Sequence, residues 1–495
     1  VALAAAYPLL CLAVALARLR YPFELEWLEG GSLEQVRRIL AGQALYARPT
    51  LEYVAFPYPP LYYLAAAAVA AVTGPGFFAL RLVSLLASTA SLALIFWLVR
   101  RETGRVLPAL VAAGAFAGTY RAAGAWLDVG RVDALFLALT LAAVGCVRCG
   151  RTARSQAAAG ALLALAFFTK QVAVVAVLGF ALHHLLWRRR HAAALLGAAA
   201  AGILAGTLLM DGLTGGWYTF HVFRPHGLLW HRFLTFWWID VLPVLPVAAL
   251  GAILLLLSRD VDRERSRFYA TFAAVMVGTG LFSRMIIGAY LNALLPAFAG
   301  LAVLLGLALR EAGAWLPPPE GPRRAPLEAA LLSAVLLQLV MLAWDPRPRL
   351  PTAADRQAGE RLTAHLASLG PTVLVPSHPY LAARAAGHAH AHAMAIGDLL
   401  HFAPGPVGDA LERDMRRALC ERRYSAIVTN GTWRYESELG AFYGPAQPLP
   451  ELGDAFWPLT GARTRPSALY PPRALTPGGA GAACRPEASP PPGSS

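Results

Sequence analysis

Residues 24–61 read ELEWLEGGSLEQVRRILAGQALYARPTLEYVAFPYPPL, placing five glutamates and an arginine pair between two strongly apolar stretches. Glu26 and Glu29 are three apart and share a helical face, with Trp27 and Leu28 suited to anchor the turn at a membrane interface. Two carboxylates so spaced suit a divalent cation such as Mg²⁺, or removal of a proton from a hydroxyl nucleophile. Gly30 and Gly31 let other groups come close. The bland alternative is a solvated polar loop, and Glu34, Arg37 and Arg38 read as helix-surface charges of that kind. Downstream, the prolines of Phe56-Pro57-Tyr58-Pro59-Pro60 stiffen an aromatic turn, either an interfacial belt or a wall that holds Tyr58 against a sugar ring or isoprenoid chain.

A second set of ionisable residues lies in WLDVGRVDALF, where Asp128 and Arg131 face each other at i,i+3 and Asp133 points elsewhere. Ionisable groups at the edge of an apolar helix are expensive to desolvate unless paired or hydrated; a salt bridge explains one of the acids and not both, so Asp128 and Asp133 are both site candidates. Lys170 in FFTKQ, then His221, Arg224 and His226 with His231 and Arg232, then Arg284, Tyr290 and Asn292, add cations and polar groups. Cations around an acidic cluster suit a phosphate-bearing ligand held near hydrocarbon. A permease vestibule has a similar composition, and single histidines are more often packed or solvated than catalytic.

The elements that position these residues follow from composition. Of the 495 residues, 57% are hydrophobic and 15% charged, against about 25% charged in an ordinary soluble chain. That predicts an α-helical polytopic membrane protein. Apolar runs suggest spans near 2–19, 77–99, 107–125, 132–148, 156–169, 171–187, 192–212, 236–258, 268–287, 290–309 and 327–343, about eleven in all. Residues 1–19 lack the basic start and polar exit of a cleaved leader and read as the first span. Pro60 to Thr73 is short and fenced by prolines and glycines, so it reads as a helix at the outer interface. The formal charge of +14 comes from arginine clusters between apolar runs, which is a topology signal and not a nucleic-acid face. Placing those clusters inside puts loop 20–76 and the other site candidates outside. No phosphate-cradling glycine loop occurs on the inner side, so nothing there is built to hydrolyse ATP.

After Trp344 the pattern turns aqueous, predicting helices at 355–369 and 407–420 and strands at 372–375 and 424–429 in a small external α/β domain, residues 346–460, after a membrane domain of residues 1–345. His388, His390 and His392 alternate with alanines, a spacing that on a strand would offer three imidazoles to a metal. Cys420 and Cys484 are candidates for pairing, and Cys146-x-x-Cys149 is a weak redox or metal motif. Residues 461–495 lack periodicity and read as a disordered tail.

Taken together, Glu26 and Glu29, the Gly42 to Tyr46 turn, Pro59-Pro60-Leu61 and Arg81 after Gly76-Phe77-Phe78 resemble the first outer loop of membrane glycosyltransferases with the C-type fold. The likeness is to the bacterial group with lipid A aminoarabinose transferase, the protein O-mannosyltransferases and the rhizobial lipopolysaccharide galacturonosyltransferases. Many relatives begin the loop with aspartate then glutamate, where this chain has Glu26-Trp-Leu-Glu29. The resemblance implies a polyprenyl-phosphate sugar donor, a lipid, glycan or protein acceptor, and a site facing outward from the bacterial inner membrane. It implies that Glu29 acts as general base with Glu26 as partner or metal ligand, Asp128 or Asp133 as the second acid, and Lys170, Arg224 and Arg284 on the lipid phosphate. A transporter, or a flippase or polymerase of lipid-linked glycans, is the competing class, and a membrane scaffold leaves the clustered charges without a purpose.

Overall fold

The computed structural model describes residues 1–258, 262–317 and 323–473. It divides into two compact units: residues 1–46, 57–351 and 459–461, and residues 47–56 and 352–458 with the chain after 461.

The first unit is a helical bundle of a multi-pass membrane protein, but the count of eleven spans is corrected. Among the described residues, four helices are long and apolar enough to cross: Phe77–Thr103, Arg189–Thr214, Leu291–Ala312 and Arg324–Met341. Arg232–Val241 and Pro246–Leu257 make a fifth only if counted as one span bent by 107°. Most of the rest stop early. Val106–Gly118 has 13 residues and ends where Thr119 to Gly124 turns, the last with φ of +72°; at about 1.5 Å per residue it reaches roughly 20 Å, short of a hydrocarbon core of about 30 Å. Ala2–Arg18 and Ala153–Thr169 have 17 residues each, and Leu61–Thr73 has 13. Arg263–Met285 is long enough but carries Arg263, Glu264, Arg265, Arg267 and Arg284.

Helix ends reflect local chemistry. Phe77–Thr103 starts after Gly76 and stops at Gly104 in the left-handed region. Ala153–Thr169 opens with a capping box between Thr152 and Ser155. Small residues let helices touch: a Cβ at Gly114 would lie 2.3 Å from the Ala4 carbonyl oxygen, so Ala2–Arg18 packs backbone to backbone on Val106–Gly118. Several arginines of the basic clusters also tie helix ends together, since Glu102 meets Arg148 at 2.9 Å and Arg265 at 3.3 Å, and Arg265 meets Glu311 at 2.6 Å.

The last residue of the first helix, Arg18, is fully buried. Its Nε and Nη2 donate to Asp128 at 2.6 and 2.5 Å, and Tyr120 donates to the same carboxylate at 3.0 Å. Arg18 also donates to the carbonyls of Ala125 and Arg349. This pair locks loop 119–132 to the first helix.

In the second unit, Ala353–Ser368 and Pro406–Cys420 form where the sequence predicts helices. The expected α/β alternation gives way to a three-stranded antiparallel sheet, with Ala468–Tyr470 between Ile427–Thr429 and Gln447–Pro448. The predicted strand at 372–375 supplies only a bridge from Leu374 to Ile427. The central strand lies in the stretch 461–495 read as a tail, of which residues 474–495, with Cys484, fall outside the described residues. The histidine triplet is not a metal face. His390 Nε2 accepts from the Val375 amide at 2.9 Å, and His392 caps Ala393–Phe402 through the Met394 amide at 3.0 Å. Burial pushes His390 down to about 4, which suits a neutral acceptor.

Removing one partner of a buried ion pair costs about 3–5 kcal/mol. Arg18→Met is therefore expected to lower the thermal midpoint of the detergent-solubilised protein by that much stability, and Arg18→Met with Asp128→Leu is expected to regain a large part of it.

Candidate acid site between the first loop and loop 119–132

Glu29 opens the helix Glu29–Leu40 and is fully buried. Its Oε2 accepts from Arg81 Nη2 at 2.6 Å and the Leu25 amide at 2.7 Å; its Oε1 accepts from Arg81 Nε at 3.0 Å and the Gly130 amide at 2.6 Å. Arg81 spends its remaining donors on the carbonyls of Tyr21, Phe23 and Arg18. Glu24 accepts from the Gly30 amide at 2.9 Å. The loop is thus folded back on itself around one guanidinium, and Glu29 also pins loop 119–132 through Gly130.

Glu26 is held differently. It is fully buried, its Oε2 accepts from the Leu28 amide at 3.1 Å and faces Arg131 Nε at 3.7 Å, and its Oε1 has no hydrogen-bond partner among the described residues. Arg131 Nη2 donates to Tyr58 Oη at 3.2 Å, with the guanidinium 5.3 Å from the Tyr58 ring centre, while Nη1 has no partner among the described residues. Tyr46 in turn donates to the Tyr58 carbonyl at 2.7 Å. Asp133 repeats the pattern: its Oδ1 takes Lys170 Nζ at 2.7 Å and Asn292 Nδ2 at 3.0 Å, and its buried Oδ2 is unpartnered among the described residues. Tyr290 stacks on Trp126 at 6.2 Å.

The carboxylates therefore divide into two kinds. Glu29 and Asp128 are saturated by arginine, whereas Glu26 and Asp133 each keep one oxygen uncommitted. Burial raises Glu26 to about 8, with Arg131 opposing and Glu29 adding to the shift. Burial also raises Glu24, against the Gly30 amide. For Glu29, burial pushes the same way but is overcome by Arg81 and two backbone amides, which take it below the usual range.

The cations are only partly gathered. His221 is buried 6.4 Å from the Tyr46 ring, Arg224 Nε donates to the His221 carbonyl at 3.3 Å, and His226 Nδ1 donates to the Arg224 carbonyl at 3.0 Å. Gln171 joins this segment to the aromatic turn by donating to the carbonyls of Pro57 and Val222. Arg284 stands apart, paired with Asp240 at 2.7 Å. Sequence reasoning missed Arg18, Asp240 and Gln171. An arginine ending an apolar helix is a signal for a buried acid partner, but Arg18 is easily counted as a flanking charge.

A divalent cation does not fit the side chains present. No group of three His, Cys, Asp or Glu side chains gathers among the described residues, and both half-free acids already face a cation.

The fold is similar to that of the solved membrane protein ArnT. ArnT from Cupriavidus metallidurans, in its apo state, superposes with a TM-score of 0.57 at 14% identity over 94% of this chain and 97% of ArnT. The structure of the same protein bound to undecaprenyl phosphate gives 0.57 and 14%, over 94% and 98%. The archaeal oligosaccharyltransferase AglB from Archaeoglobus fulgidus, in complex with an inhibitory peptide and a dolichol-phosphate, gives 0.47 at 11% identity, over 89% and 72%. The family model of dolichyl-phosphate-mannose-protein mannosyltransferases matches residues 57–210, a stretch that holds Tyr58, Asp128, Arg131, Asp133 and Lys170 but not Glu26. No curated protein is matched by sequence.

Because Glu26 holds its proton more tightly folded than at its ordinary 4.5, its stabilising contribution is complete below about pH 4.5 and is lost as pH rises through about 8. Glu26→Gln should remove that loss, so its thermal midpoint relative to wild type rises between pH 5 and pH 8. Glu29→Gln is expected to cost about 3–5 kcal/mol at neutral pH.

Proposed function

We propose that the protein transfers a sugar from a polyprenyl phosphate to a hydroxyl group of a cell-envelope acceptor. We assign the reaction to the outer face of a bacterial inner membrane, where such donors and acceptors meet. One observation carries the reading: in the fold of ArnT, Glu26 keeps a buried, unpartnered carboxylate oxygen beside Arg131.

We assign the base to Glu26 and not to Glu29, whose oxygens are filled by four donors. The acceptor oxygen bonds to the anomeric carbon as its proton passes to Glu26. The bond from that carbon to the phosphate oxygen breaks, and polyprenyl phosphate leaves with inversion. A phosphate is already a competent leaving group, so one base and a set of cations suffice. Arg131 favours the ionised form of Glu26 and aligns Tyr58. Lys170, His221, Arg224 and His226 are assigned to the phosphate, and Asp133 with Asn292 and Tyr290 to the sugar. Arg284, committed to Asp240, is assigned to hold the loop near Tyr290 through its bond to the Ala289 carbonyl.

Supplied with an undecaprenyl-phosphate sugar and an envelope lipid extract, the purified protein should release undecaprenyl phosphate. Glu26→Gln should lower that rate by about 10²–10⁴-fold, with wild-type turnover rising with pH up to about 8. Unchanged turnover in folded Glu26→Gln protein removes the assignment.

A further inference from the structure

Glu26 is sealed by a piece of chain more than four hundred residues away in sequence. Leu459–Gly461 belongs to the membrane unit and lies alongside the first loop, where the amides of Leu459 and Thr460 both donate to the Leu25 carbonyl, at 2.9 and 3.1 Å, and Thr460 bridges Glu26 in parallel. Arg349 Nη1 holds the Leu459 carbonyl at 3.0 Å, and Thr460 Oγ1 donates to the Gly124 carbonyl.

Gly461 ends the strap with φ of +78°, and a Cβ there would lie 2.7 Å from Glu26 Oε1 and 2.8 Å from Trp27 Cδ1. The bare glycine therefore rests on the one Glu26 oxygen that has no partner among the described residues. Two features make glycine the required residue: left-handed backbone, and no room for a side chain. The strap donates nothing to that oxygen. It excludes water while leaving the oxygen's hydrogen-bonding capacity unspent, an expensive arrangement for a merely structural contact.

We propose that Leu459–Gly461 is a positioning element of the acid site, keeping water from Glu26 Oε1 until the acceptor hydroxyl takes the strap's place. The second half rests on the glycosyltransferase reading; the first does not. The strap adds no titratable side chain to the pocket. The charged and titratable groups around Glu26 are Arg131 and, behind it, Asp133 on the loop 119–132 side, Glu24 and Glu29 with its Arg81 on the first loop, and Tyr290. None of them belongs to the strap, so the strap acts on Glu26 without a charge of its own.

The test labels the full chain in detergent with dicyclohexylcarbodiimide, which adds across protonated carboxyl groups in apolar surroundings. The adduct on Glu26 is resolved from that on Glu24 by fragment mass spectrometry between pH 5 and pH 9. Wild type should lose half its labelling near pH 8. Gly461→Ala, which must displace either the strap or the Glu26 and Trp27 side chains it rests on, and Thr460→Ala, which removes its tie to Gly124, should move that half-point down by at least one pH unit. A fall of two units leaves labelling at pH 7 about tenfold lower. A structural role alone changes the rate at all pH values and leaves the half-point in place, and that result in Thr460→Ala, whose backbone is untouched, overturns the proposal. Wild type that labels as expected but transfers no sugar refutes the transferase reading and leaves the strap standing. Wild type that transfers sugar, with half-points unmoved in both variants, refutes the strap alone.

Discussion

A carboxylate enclosed by apolar helices stays ionised only against a cation, and this molecule meets that constraint twice with arginine. Arg81 neutralises Glu29 and also gathers the carbonyls of residues 18, 21 and 23. Arg18 does the same for Asp128 and the carbonyl of Ala125. Both guanidiniums turn a connecting segment into a rigid wall, since each arginine sits on a helix while its acid sits within a loop or at the first residue of the helix after one. With these walls fixed, the Glu26 and Arg131 side chains can face each other at 3.7 Å without being consumed by a bidentate pair.

The distinction between saturated and half-satisfied acids is the main chemical information in the fold. Buried ion pairs contribute little net stability against well-packed apolar groups, yet losing one partner is costly. Such pairs fix register and geometry more than they strengthen the bundle. A group with an uncommitted oxygen in the same dry surroundings has a different meaning, because a buried polar atom without a partner is uncommon in native structures. Glu26 and Asp133 are two such groups joined by Arg131, whose guanidinium lies 3.7 Å from the first and whose backbone is two residues from the second.

Much of the clustering in the candidate site was legible in the residue types. Glu26, Glu29, Asp128, Arg131, Asp133 and Lys170 stood out because charge is rare in an apolar chain, and all of them lie in one connected region. Spacing does not reveal which acid meets which base: Asp128 pairs with Arg18 and not with its i+3 neighbour Arg131, and Arg131 turns to Glu26. The fold was legible in class and not in count. Hydropathy registers apolar length but misses the points at which helices stop, so the run at 107–125 is a 13-residue helix and then a turn. The Leu459–Gly461 strap was invisible, as PLTGAR has neither charge pattern nor period to mark it.

The strap also sets an order of events during biosynthesis. Glu26, Arg81 and Arg131 emerge from the ribosome early, and their helices can enter the membrane while most of the chain is still unmade. The segment that lies on Glu26 Oε1 is in place only once residue 461 has been translated and folded back to Leu25. The covering of that carboxyl oxygen is thus completed late in synthesis, after the segments that carry its charged neighbours have been made.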